Sequence, residues 1–147
     1  MALEVAKHFP EQCKAVISIG TPSFIEDKTI KGIQAAREHF KTPKNLEKLK
    51  KYHGDRAQWI VSSWVDTWLA PEFLNWTIDN IIKDLECPVL AIHGTQDEFG
   101  SIEQAKRIAS VKRGHVGVIK EVGHMPHHEN EELTLKLIKK FLMQLNK

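Results

Sequence analysis

Apolar positions in this chain follow two rhythms. Ala2, Val5, Ala6 and Phe9 recur at helical spacing and Pro10 ends the pattern, which predicts a short amphipathic helix at the start. Residues 14–20, Lys-Ala-Val-Ile-Ser-Ile-Gly, form a compact apolar run closed by Gly20-Thr21-Pro22, the mark of a strand buried on both faces. The same grammar returns twice. Cys87-Pro88 leads into Val89-Leu90-Ala91-Ile92-His93-Gly94, and residues 115–122 carry Val116, Val118, Ile119 and Val122 before Gly123 ends the run. Between them, Ser101-Ile102-Glu103-Gln104 has the form of a capping box, opening a helix that buries Ile102, Ala105, Ile108 and Ala109. From about Glu131, Leu137, Ile138, Phe141, Leu142 and Leu145 make an apolar stripe, with Lys136, Lys139 and Lys140 turned to solvent. Helix, strand, long insertion, strand, helix, strand, helix implies an α/β fold: three parallel strands joined by right-handed crossovers, with flanking helices.

The insertion between the first two strands, residues 24–84, is too long for a simple crossover and holds most of the aromatic residues: Phe24, Phe40, Tyr52, Trp59, Trp64, Trp68, Phe73 and Trp76. Ile60, Val61, Trp64, Val65, Trp68 and Leu69 share one helical face, and Lys44 to Lys51 reads as a charged surface helix. A helical cap is expected over the sheet core formed by residues 1–23 and 85–147, with Trp64 and Trp68 in the cap's own core.

Composition narrows the classes. A chain of 147 residues, 41% hydrophobic and 27% charged, can bury one ordinary core. Lys and Arg number 21 against 19 Asp and Glu, a net charge of +2 that argues against a nucleic-acid partner. Apolar runs such as Val89 to Ile92 are strand-sized, so no membrane span is expected. The opening Met-Ala-Leu-Glu-Val-Ala-Lys lacks the pattern of a secretory leader, and Cys13 and Cys87 lie far apart, so free, inert thiols in a cytoplasmic protein are expected.

In a parallel α/β sheet the loops at the carboxyl ends of the strands converge on one rim, where ligands bind. These loops read Gly20-Thr21-Pro22-Ser23, Gly94-Thr95-Gln96-Asp97-Glu98 and Gly123-His124-Met125-Pro126-His127-His128. Asp97 and His124 would therefore meet: an acid that fixes the imidazole tautomer and a base that takes a proton from a nucleophile. Glu98 is the competing acid, a residue further along the same turn. His124, His127, His128 and Glu129 also form a metal-like cluster, but the segment lacks the His-Glu-x-x-His helical spacing and Pro126 interrupts it, so no metal is expected. His93, inside an apolar strand, reads as a hydrogen-bonded core or rim histidine.

Pro88-Val-Leu-Ala-Ile-His-Gly-Thr-Gln-Asp97 and Gly123-His124-Met-Pro-His-His-Glu resemble the strand-then-acid turn and the histidine loop of the α/β-hydrolase family, whose chain order is nucleophile, acid, histidine. Ala2 to Pro22 is similar to the helix after the family's nucleophile elbow and the strand that follows, and residues 24–84 occupy the usual place of its cap. The resemblance implies esterase-like hydrolysis by a Ser-Asp-His triad, without a cofactor, on a small ester-like molecule, with Thr21, Pro22, Trp59, Trp76 and Met125 as pocket residues. The family's GxSxG elbow is absent. Ser18 lies mid-strand, Ser23 follows Pro22, and Ser101 suits a helix cap, so none replaces it. The expectation is a C-terminal portion of the fold that keeps the acid and base but not the serine and is inactive alone, either oligomerising or complemented by the missing N-terminal half. The rival readings are a non-catalytic interaction module that pairs through its exposed sheet edge, and a small metalloenzyme built on the His124 cluster.

Overall fold

A computed structural model describes residues 1–145. Three strands, β1 (Val16–Ile19), β2 (Val89–Gly94) and β3 (Gly114–Ile119), are accompanied by helices α1 (Ala2–His8), α2 (Asp27–Phe40), α3 (Pro43–His53), α4 (Ala57–Leu69), α5 (Asp79–Ile82), α6 (Ile102–Ile108), α7 (Pro126–Glu129) and α8 (Glu131–Leu145). The sheet is parallel throughout, in the order β1-β2-β3. Val16 faces Val89 and Ile19 faces Ile92, while Val89 faces Gly114 and Gly94 faces Ile119. No helix among the described residues is long and apolar enough to cross a membrane.

The chain divides into two compact units, Met1–Phe24 with Thr77 onward, and Ile25–Trp76. Residues 77–84, assigned above to the insertion, return to the sheet-bearing unit. Ile78, Ile82 and Leu85 are buried there, Phe24 bridges Thr77, and the Ile78 N–H donates to the Ser23 carbonyl at 2.9 Å. Lys7 on α1 reaches the Asn80 carbonyl and the Asp84 carboxylate, both at 3.0 Å.

In this unit β2 is the central strand and every residue in it is buried. Strand alternation sends Leu90 and Ile92 to one face, where they join Ile119, Val122 and Phe141 of α8 in the principal core. Val89, Ala91 and His93 point to the other face, and α6 packs on the same strand through Ala105 and Ile108. Gly117 of β3 lies beneath α8; a Cβ there would stand 3.0 Å from Leu137 and 3.3 Å from Ile92, so its lack of a side chain lets the helix sit close.

Three assignments of apolar positions need correction. In α1 the buried pair is Leu3 and Ala6, whereas Val5 and Phe9 are exposed. In β3, which ends at Ile119, Val116 and Val118 share a face left open at the sheet margin; only Gly117 and Ile119 are buried within the strand. In α8 Leu142 has turned away from the core that Phe141 enters.

The second unit is helical, with α2 and α3 packed on α4. Its buried positions are Thr29 and Ile33 on α2 and Ala57, Val61 and Val65 on α4, those of each helix spaced one helical turn apart. The expectation that Trp64 and Trp68 form this core is corrected: small and branched residues do so, and both tryptophans are half-buried. Trp68, Phe73 and Trp76 instead make their own cluster, with ring centroids 5.4 to 5.5 Å apart.

Adjacent residues on α8 separate core from surface. Phe141 is 2% exposed and Leu142 43%. Phe141→Ala is expected to cost about 3–5 kcal/mol in urea denaturation, while Leu142→Ala stays below about 1 kcal/mol. Equal losses would contradict the orientation of this helix.

Candidate functional site

Beyond β2 the chain turns sharply, with the Asp97 N–H directed back to the Gly94 carbonyl at 3.3 Å. This turn is zipped to the segment after β3: the Thr95 N–H donates to Ile119, the Gln96 N–H to Val122 at 2.8 Å, and the Glu121 N–H to the Thr95 hydroxyl at 2.9 Å. Glu121 adopts a left-handed conformation (φ 59°) to make that bend. The backbones approach so closely that a Cβ on Gly94 would fall 2.2 Å from the Val122 carbonyl oxygen and 2.3 Å from that of Gly123. Only glycine fits.

The acid and the imidazole meet across this junction. Asp97 Oδ2 lies 3.0 Å from His124 Nδ1, and Asp97 Oδ1 accepts the Phe99 N–H at 2.8 Å. Asp97 is 1% exposed, whereas the His124 side chain is 37% exposed. With Nδ1–H donating to Asp97, the Nε2 lone pair of neutral His124 is free to accept a proton. Phe99 packs against the imidazole edge-on at 4.9 Å between centroids. His93 backs the carboxylate from the buried side: its Nε2 is 3.1 Å from the Gly100 carbonyl and 3.4 Å from Asp97 Oδ2. Glu98, the alternative acid, is exposed.

Burial pushes the Asp97 carboxyl up, but hydrogen bonds from His124 and the Phe99 N–H, with the neighbouring imidazoles, outweigh it and hold it below its ordinary value. The hydrogen bond to Asp97 raises His124 above the usual imidazole range against the effect of burial, aided by the charges of Asp97, Glu98 and Glu129.

β1 closes the third side. Gly20 has φ 58°, and a Cβ there would stand 2.6 Å from the His124 carbonyl oxygen and 3.5 Å from Nδ1. The next residues, Thr21 and Pro22, are half-buried, and Ser23 is buried against α6. The Ser23 hydroxyl and N–H both reach the Gln104 side-chain oxygen, at 3.0 and 2.7 Å, so Ser23 is a packing residue. Gln104, read above as half of a capping box, spends its amide on Ser23 and Phe24, and Ser101 stands at the N-cap of α6 with no side-chain bond to the capped amides.

Sequence reasoning missed the role of Glu129. Its carboxylate accepts the Gly123 N–H at 2.7 Å and the Met125 N–H at 2.9 Å, the amides on either side of His124. These bonds hold it below the ordinary carboxylate value. A Glu five residues after a loop histidine, at the end of a short helix, was the available signal. His127 and His128 are exposed, their ring centroids 4.3 Å apart and their planes tilted by 44°. Among the described residues no three His, Cys, Asp or Glu side chains converge in a group that could hold a metal ion.

Of the expected pocket residues, Met125 adjoins His124 in the chain and is exposed, and Thr21 and Pro22 follow Gly20, whose backbone lies against His124. Trp59 and Trp76 belong to the helical unit, where Trp59 is 65% exposed and Trp76 is stacked on Phe73.

Neither a protein-family model nor a curated protein matches this chain. Solved structures do. A bacterial membrane phospholipase A described as a virulence factor superposes with a TM-score of 0.76 at 18% identity, over 99% of this chain and 54% of its own. A serine hydrolase involved in carbazole degradation gives 0.69 at 17% identity, covering 97% of this chain and 58% of that one. An α/β hydrolase from the metagenome of lagoon sediments at Mar Chica, Morocco, gives 0.66 at 16% identity, with 99% and 57% coverage. The fold is a partial α/β-hydrolase fold. The chain spans between about half and two-thirds of the α/β-hydrolase structures it matches. No GxSxG occurs in these 147 residues.

The pair has a defined pH signature. Because His124 is raised in the folded protein, its share of stability is complete below the ordinary imidazole value of 6.5 and is lost as pH climbs through the raised one. Because Asp97 is lowered, its share is present above 3.8 and is lost as pH falls through the lowered value. Asp97→Asn is expected to lower the His124 titration midpoint, followed by imidazole NMR, by removing its largest raising cause; an unmoved midpoint would contradict the pairing. Gly20→Ala is expected to shift the His124 ring resonances and destabilise the protein by about 1–3 kcal/mol, since neither the left-handed backbone nor the close carbonyl accepts a methyl group. A thermal melt and spectrum unchanged from the parent would contradict that contact.

Proposed function

We propose that this chain supplies the general base and orienting acid of an ester-hydrolysing catalytic triad, the nucleophilic serine coming from a part of the α/β-hydrolase fold outside these 147 residues. One observation carries the reading: the 3.0 Å bond from His124 Nδ1 to Asp97 Oδ2 in a partly exposed imidazole. His124 Nε2 takes the proton of the serine hydroxyl as that oxygen attacks the ester carbonyl. Asp97 steadies the resulting imidazolium without itself taking the proton. His124 then returns the proton to the leaving alkoxide, and the cycle repeats with water as nucleophile to release the acid. The helical unit, residues 25–76, is the cap insertion of that fold, and Thr21, Pro22 and Met125 contribute to the acyl pocket. The hydrolases among the structural neighbours support this class of chemistry.

Lacking the serine, the chain alone should neither react with a fluorophosphonate nor show an acylation burst with p-nitrophenyl acetate. A longer gene product or complex that adds an in-frame GxSxG should do both, and His124→Ala within it should lower kcat by about 10³-fold or more. Fluorophosphonate labelling of the isolated chain, or activity indifferent to His124, would overturn the proposal.

A second reading rests on the sheet margin. Among the described residues β1 has a single strand neighbour, with Val5 exposed on the preceding helix and Phe9 exposed just after it, so the chain also suits a non-catalytic module that pairs edge to edge with a second copy or a complementary half.

A further inference from the structure

The fold brings the chain's two cysteines together. Cys13 lies three residues before the first residue of β1 and Cys87 two before the first of β2, and although 74 positions separate them their sulfurs are 3.9 Å apart. Both thiols are free, Cys13 half-buried and Cys87 buried. Just beyond them the Val16 N–H donates to the Pro88 carbonyl at 2.9 Å, which fixes the spacing of the two passages. Cys13 has extended backbone (φ −101°, ψ 103°) at the end of a short 3-10 turn, Pro10–Gln12, and a disulfide requires the sulfurs to close from 3.9 Å to roughly 2.05 Å.

We propose that Cys13 and Cys87 form a thiol–disulfide exchange site that takes a small disulfide such as oxidised glutathione and closes into an internal bond clamping β1 to β2. The difference in exposure assigns the order of steps. The Cys13 thiolate attacks one sulfur of the incoming disulfide; that S–S bond breaks, and the expelled glutathione thiolate takes up the proton Cys13 has lost. Burial and the adjacent Cys13 thiol push the Cys87 thiol up, so Cys87 is the slower, resolving group. Its thiolate attacks Cys13 Sγ, the mixed disulfide breaks, and a second glutathione leaves with the Cys87 proton. Two electrons pass from the cysteine pair to the glutathione disulfide, and nothing else is consumed.

The site sits at the opposite end of the sheet from Asp97 and His124. β2, six residues long, separates the two ends by about 20 Å. β1 has just four paired residues and one neighbouring strand, so it is the element such a bond would hold most firmly.

Titrating the reduced 147-residue chain with oxidised glutathione tests this. The expected product is a monomer lighter by two hydrogen atoms. Non-reducing peptide maps should join Cys13 to Cys87, the melting temperature should rise by at least about 5 °C, and dithiothreitol should reverse all three changes. Cys87→Ser should stop at a stable glutathione adduct on Cys13, and Cys13→Ser should react slowly or not at all. Cys87→Ala serves if the serine variant fails to fold. Persistent glutathionylation of the unmodified chain without ring closure, disulfide-linked dimers as the main product, or no reaction while both thiols remain reduced would each overturn the proposal.

Discussion

The structure turns on one buried charge. Asp97 is held almost out of contact with water, and a carboxylate in that position remains an anion only when hydrogen-bond donors surround it. Three groups approach it: the Phe99 N–H from its own turn, the His93 imidazole from the buried side, and the His124 imidazole from the rim. The first two are local in sequence and form with the turn itself. The third comes from another strand and requires β3 to run parallel in a fixed register, so the site and the sheet are one construction. Because His124 is more than one-third exposed, solvent screens the attraction between the pair, and its strength falls well short of a fully buried ion pair.

Backbone proximity makes that meeting possible. The turn after β2 and the loop after β3 are joined by three hydrogen bonds, and at Gly94 the chains touch with no room for a methyl group. Gly20 does the same from β1, lying directly under His124. Glu129 binds the amides flanking the histidine and fixes the loop from outside the sheet. The imidazole is thus located by backbone contacts on several sides, which leaves its ring free to present Nε2. Such preorganisation lets a base accept a proton without first reorganising its surroundings.

Much of this was legible in the sequence because the informative signals are local. Apolar runs ending in glycine marked all three strands, and an acid and a histidine just after two of them marked the rim. What escaped was decided by neighbours distant in the chain. A helical period shows that α1 has an apolar face, but Leu3 rather than Val5 turns inward because β1 and α5 choose the face. Val116 and Val118 have the composition of a buried strand, yet β3 lies at the sheet margin, and margin position is a property of strand order. Gln104 looked like a cap and instead satisfies the backbone of Ser23 and Phe24, some 80 residues away. The cysteine pair is the extreme case: two residues read as inert from their local setting become neighbours because the strands they precede are adjacent.

Among the described residues β1 is the shortest strand and pairs with β2 alone, yet its last residue leads into Gly20, whose backbone supports His124. The Gly20 N–H donates to the Ile92 carbonyl, so the support is transmitted through the same β1–β2 ladder that begins near the cysteines. A four-residue edge strand opens locally at lower free energy than the central strand it pairs with, and fraying starts at its ends. Loosening at the Cys13 end shortens a ladder that has no residues to spare, and what remains must still hold Gly20 in a left-handed conformation against a carbonyl. The placement of the His124 imidazole therefore depends on the short β1–β2 ladder as well as on the pairing of β2 with β3.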